Sequence, residues 1–196
     1  MPWFTVYDRL KARIESFGIA VIGKRLPLET TGIFDGLSIT TNTAYDQETR
    51  CYNIAHSLGH IVQWSVDYSR CQALYDQLHA AKTNKMADPE PLRRALEGFR
   101  RYEEEASQYA TWLLTVTGNT AAIPTFINFS RADIEAIVAF HRDGAAPVWH
   151  TFFAEWNAKV AQKELAALPF GAKPIPRFTP VQIAAQEVIQ GVGEDS

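Results

Sequence analysis

Between Asp46 and Asp67 the chain reads DQETRCYNIAHSLGHIVQWSVD, and no other stretch constrains the fold as much. Cys51, Ile54, Leu58, Ile61 and Val62 recur at three- and four-residue intervals, which predicts a long helix with its back in a core. Asn53, His56, His60, Gln63 and Asp67 form a separate polar stripe. Residues four apart on a helix stand one above the other, so His56 and His60 could grip one ion. The stripe suits a cleft and equally a solvated face, and a histidine pair at this spacing also arises by chance. Gly59 adds a constraint. A glycine inside a helix costs about 1 kcal/mol relative to alanine, so a neighbouring strand or helix is expected to pass closely over the histidine face.

The stretch RRYEEEASQYATWLL supplies a possible third group. Phe99, Tyr102, Ala106, Tyr109 and Leu113 make one helical stripe, and Glu103 stands at its margin beside alanines small enough for close packing. Glu104 falls on the polar side with Gln108 and Thr111. Glu105 aligns with Tyr109 and Trp112 and is a second choice. A run of glutamates is commonly just a solvated face. Two imidazoles and one carboxylate are nevertheless a standard zinc set, with a fourth position left for water.

Around these two helices the sequence predicts an α+β, mostly helical chain. Trp3, Val6, Tyr7, Leu10, Ile14 and Phe17 mark an N-terminal amphipathic helix closed at Gly18. IAVIGKRL, IFDG and LSITTN read as two or three strands of a small sheet. A helix is expected over 71–81, a polar loop at KTNKMADPEP, and a helix from near Pro91 to about Thr115. TGNTAAIPTFIN breaks the pattern. Ser130 with Asp133 resembles a capping box opening a helix that ends near His141. A last long helix carries Val148, Trp149, Phe152, Phe153, Trp156 and Val160. The proline-rich PFGAKPIPRFTP then leads to a short terminal helix and the tail GVGEDS. His79 and His141, near helix ends, carry no expected chemistry, and the five tryptophans read as core or interface.

With 196 residues, a net charge of −3 and a pI near 6.0, the chain is long enough for a substantial core and offers no electrostatic reason to bind nucleic acid or an acidic membrane. No apolar run approaches a membrane span. Cys51 and Cys71 make no disulfide framework, which leads to the expectation of a cytoplasmic protein.

The order of these motifs, FGIAVIGKRL, GIFDGLSITTN, RCYNIAHSLGHIVQW and then YEEEASQYATWLL, resembles the ImmA/IrrE family of zinc metallopeptidase-like proteins, members of the gluzincin group. That family places a short strand before an H-E-x-x-H helix and follows it with a helix of the form E-x-E-A-N-x-F-A-x-x-L-L. The similarity covers roughly residues 10 to 117; after LL this chain reads TVTGN where the family has methionine and proline. The resemblance implies a zincin-like fold, with a small N-terminal sheet packed on the histidine helix over 1–117. A C-terminal helical extension over 118–196 would pack on it as one globular unit. It implies Zn2+ held by His56, His60 and Glu103, with Ala106, Tyr109, Ala110, Leu113 and Leu114 at the family's small and apolar helix positions. Ser107 replaces the asparagine or aspartate that stands beside the ligands in the family.

Ser57 stands where the family has its glutamate. A zinc hydrolase needs the metal to lower the pKa of its bound water towards 7 and a carboxylate to take the proton. A serine hydroxyl is far too weak a base, and losing a positioned base typically costs about 10²–10⁴ in rate. Metal binding does not use that residue. The expectation is thus a metal-binding, impaired or degenerate peptidase that recognises a peptide or protein segment in the old cleft. One alternative is an active metallohydrolase with a substitute base, for which Glu155 and His150 on the last long helix are candidates, although His150 beside Trp149 also reads as a core histidine. Another is an interaction domain whose histidines bind no metal.

Overall fold

The computed structural model describes residues 2–27, 30–84, 88–144, 154–156, 158–159 and 171–189. The N-terminal helix, α1 (Trp3–Glu15), buries Val6, Tyr7, Leu10 and Ile14, the positions its periodicity selects. The chain then turns at Gly18, whose φ of 83° is a left-handed value that glycine takes without strain. It enters β1 (Ala20–Lys24), β2 (Thr30–Phe34) and β3 (Ser38–Asn42). β1 runs parallel to β3, and β2 runs antiparallel to it. The β2–β3 hairpin is closed by Asp35, whose carboxylate accepts from the backbone N–H of Leu37 (3.0 Å) and of Ser38 (2.7 Å), while Gly36 takes φ 87°. Asn42 fixes the other end of the sheet: its amide donates to the carbonyls of Leu26, Pro27 and Thr30.

Helix α2 (Gln47–Val66) starts at Asp46, whose side chain accepts from Thr49 N at 2.7 Å. Every residue from Cys51 to Trp64 is buried, so the polar stripe from Asn53 to Gln63 is neither a solvated face nor an open cleft wall, and of the stripe only Asp67, at the helix end, is exposed. It is covered by β2 and β3 on one side and by α4 (Glu90–Val116) on the other. Full burial of each large apolar side chain such as Ile54, Leu58, Leu113 or Leu114 stabilises by roughly 1.5–3 kcal/mol, and these residues form one continuous core. Helix α3 (Tyr68–Asn84) connects α2 to α4 and takes in Lys82, Thr83 and Asn84 of the expected loop.

Helix α5 (Ile123–Asp143) follows a 3-10 turn at Thr120–Ala122 and packs on α4. It corrects the sequence reading. The helix starts at Ile123, seven residues before the supposed capping box, with Pro124 in its first turn, where a missing N–H costs nothing. Ser130 and Asp133 lie buried inside it. Its end agrees better with expectation, at His141–Asp143 and a left-handed Gly144. Of the last long helix, Val148, Trp149, His150, Phe152, Phe153 and Val160 lie outside the described residues, as does the tail from 190 onward. Trp156 packs against the core.

The largest correction lies at the C-terminus. In place of a short terminal helix, residues 186–189 form a strand, β4 (Gln186–Ile189), antiparallel to β2. The sheet therefore has the order β1-β3-β2-β4. No helix among the described residues is long and apolar enough to cross a membrane.

Candidate metal centre

The α2 histidines and the α4 carboxylate meet. His56 Nε2 lies 3.0 Å and His60 Nε2 3.2 Å from Glu103 Oε2, and the two Nε2 atoms are 3.0 Å apart. All three residues are 3–5% exposed. The meeting depends on Gly59: a Cβ there would stand 2.3 Å from the carbonyl oxygen of Ala106 and 2.7 Å from its Cα. The close backbone approach expected from the sequence is thus the crossing of α4 over α2, and it brings Glu103, one turn before Ala106, onto the histidines.

The protonation pattern of the two rings follows from their outer partners. The Gln63 amide donates from Nε2 to Tyr102 O (2.8 Å) and to Glu105 Oε2 (3.0 Å), both pure acceptors. Its Oε1 is left facing His60 Nδ1 at 3.0 Å, so that nitrogen carries the hydrogen. Ser107 Oγ donates to Glu103 O at 3.0 Å and can therefore only accept from His56 Nδ1, a weak bond at 3.4 Å. In the neutral rings both Nε2 atoms then present lone pairs towards Glu103. Burial alone would push the Glu103 carboxyl up; once the rings gain Nε2 protons, the charge of His60 and the hydrogen bonds of both imidazoles outweigh it and hold the group well below the usual carboxylate range. Three electron-rich atoms thus converge in a dry interior. Atoms bound to one tetrahedral zinc at about 2.0–2.2 Å stand about 3.3 Å from each other, close to the separations seen here. The group could hold a metal ion.

Aromatic rings fix the site laterally. Phe34 of β2 stacks on His60 with ring centres 5.5 Å apart and planes 8° from parallel, and Tyr102 covers the other face at 4.7 Å. Ser57 is fully buried, and its Oγ has no hydrogen-bond partner among the described residues. Glu105, the second choice as ligand, holds Gln63 instead and pairs with Arg70 and Lys173. Glu104 pairs with Arg131 on α5. Glu155 is exposed, and His150 lies outside the described residues. His141 is partly buried against Phe99, and His79 is exposed. Cys51 and Cys71 are buried free thiols, each pushed up to about 12 chiefly by burial, and neither belongs to the cluster.

Gln63 and Phe34 had no assigned role in the sequence. Gln63 carried a usable signal, because it lies one turn after His60 on the same stripe. Phe34 carried none, since it reaches His60 only through strand–helix packing. Comparison with protein-family models, curated proteins and solved structures finds no match to this chain.

Proposed function

We propose that the chain is a zincin-fold metal-binding protein, a degenerate or strongly impaired metallopeptidase that acts as a binding or regulatory module. One observation carries the metal reading. Two Nε2 lone pairs and a carboxylate oxygen lie within about 3 Å of each other, and both Nδ1 hydrogens are engaged outward. A single proton can relieve one of these contacts, whereas a divalent cation relieves all three. His56, His60 and Glu103 would hold the ion, Gln63 and Ser107 would orient the imidazoles, and bound zinc would supply Lewis acidity to whatever fills its remaining position.

The impaired-peptidase half rests on Ser57 and on the motif resemblance. The position that would carry the base is occupied by a buried hydroxyl, and Glu155 is exposed on a separate helical turn. No carboxylate beyond Glu103 joins the histidine cluster among the described residues.

The test is elemental analysis of the purified chain, alongside His60→Ala and Glu103→Gln. One zinc per chain, lost in both variants, is the expected result; a wild-type chain that retains none after incubation with zinc and dialysis overturns the metal reading. Peptide cleavage assayed on wild type and on Ser57→Glu, with zinc content checked in both, tests the second half. Activity gained only in Ser57→Glu is expected. Wild-type turnover abolished by a chelator would establish an active hydrolase instead.

A further inference from the structure

Residues 171–189 are not absorbed by the metal centre, yet they link its two flanks. On the α4 side, Lys173 Nζ pairs with Glu105, the carboxylate that holds Gln63 against His60, and Lys173 N donates to Gln108 O at 3.1 Å. The segment then crosses the end of α1, where Phe178 lies against Phe17 with ring centres 5.5 Å apart. At the β2–β3 turn, Gln182 Nε2 and the backbone N–H of Ile183 both donate to Asp35 O at 2.9 Å, and Ile183 is buried. The last four residues pair with β2, Gln186 opposite Phe34, the residue whose ring stacks on His60.

The attachment has the form of a bound peptide more than of a core element. Pro174, Pro176 and Pro180 have no N–H to give, and the stretch from 171 to 185 has no regular structure. It is fastened at a cation, an aromatic ring and a buried isoleucine, and then adds a strand to a sheet edge, with a register shift between Thr30 and Gly32. Strand addition with side-chain anchors at intervals is how extended peptides are recognised by sheet edges.

We propose that the outer edge of β2, with Glu105 at one end, is an acceptor site for an extended polypeptide, and that the chain's own 172–189 segment occupies it as an internal competitor. The external ligand is an extended peptide with a cation at the Lys173 position, an aromatic residue at the Phe178 position and an apolar residue at the Ile183 position. This rests on the reading of the protein as a peptide-binding module, but it does not require metal. A tethered segment competes at a high effective concentration, so an outside peptide binds with its affinity divided by the small fraction of open chains.

The experiment uses the full chain and a fluorescent synthetic peptide copying residues 172–189, read by anisotropy, with zinc content and hydrogen exchange measured on the same samples. Two variants loosen the segment. Gly36→Asn keeps a residue tolerant of positive φ, yet its Cβ would meet Val181 O, which lies 1.8 Å from that position. Phe178→Ala removes the contact with Phe17. Both are expected to bind the peptide at least about ten-fold more tightly than wild type, with the β2 amides that face β4 unprotected in the free variants and protected again when the peptide is added. Equal affinity in all three chains overturns the proposal, as does a peptide that binds neither variant once β4 has lost its protection. Zinc loss with the peptide result intact would count against the metal reading alone. Intact zinc with no peptide binding would count against this proposal alone.

Discussion

Gly59 is the residue on which the helix crossing turns. Alanine in a helix ordinarily gains about 1 kcal/mol over glycine, but here its methyl would sit 2.3 Å from a backbone carbonyl that cannot swing away. Overpacking of this kind costs typically 1–3 kcal/mol or more, so Gly59→Ala is expected to lower stability by about 2 kcal/mol in denaturant unfolding, against the propensity trend. It should also weaken zinc binding, because Glu103 moves with the displaced α4 backbone. Gln63 acts on the site without touching the proposed ion. Gln63→Ala leaves the His60 Nδ1 hydrogen without its acceptor and frees the ring to turn. The loss expected for such orienting partners is about 10–100-fold in metal affinity, measurable by competition with a chromogenic chelator. Gln63→Glu keeps an oxygen towards His60 Nδ1 but turns the other onto Tyr102 O and Glu105 Oε2, two pure acceptors, so it is expected not to recover the loss, whereas a merely space-filling role would predict that it does.

Among the elements, α5 offers a titration that the centre does not dominate. His141 packs on Phe99 of α4, and its Nδ1 is buried without a hydrogen-bond partner among the described residues. Burial first, and then the charge of Lys82, lower its pKa from the ordinary 6.5 to about 4. The folded state therefore favours the neutral ring. This contribution is complete above pH 6.5 and is lost as pH falls towards 4. His141→Phe, compared with wild type in urea at pH 7 and pH 5 with chelator present, should show the smaller loss of stability on acidification. The elements also differ in how well the sequence revealed them. Helices α1, α2 and α4 were legible because each carries an uninterrupted apolar stripe and the latter two converge on a shared core. The start of α5 was not, because Ser130 and Asp133 mimic a cap while the real start is set by Pro124. Strand β4 was invisible for a different reason: its pairing partner, β2 (Thr30–Phe34), is far removed in sequence from Gln186–Ile189, and a four-residue strand leaves too short a pattern to separate from a helix. The two histidines and Glu103 could be chosen from spacing. Their complete burial could not, because the polar stripe on α2 looks the same whether water or another helix covers it.

At the scale of the whole molecule, the centre joins the most extensive helix pair of the fold. Ligands from α2 and α4 share one point in the core, so occupancy of that point is a term in the stability of the entire chain. A ligand that binds only the folded state stabilises it by about 4 kcal/mol when present at a thousand times its dissociation constant. Without the ion, the same three atoms are a liability, because each uncompensated buried acceptor costs about 1–3 kcal/mol. Glu103→Gln separates the two situations. The amide removes the buried charge and can donate one hydrogen bond to an imidazole lone pair, which eases the empty site, yet it is a poor ligand for a divalent cation. The order of stability is therefore expected to invert with metal. In excess zinc, wild type should melt above Glu103→Gln; in excess chelator at pH 8, the variant should melt at or above wild type. A wild-type chain that outlasts the variant equally with and without zinc would mean that Glu103 serves the fold through its imidazole hydrogen bonds alone, and that no ion is needed to reconcile the three atoms.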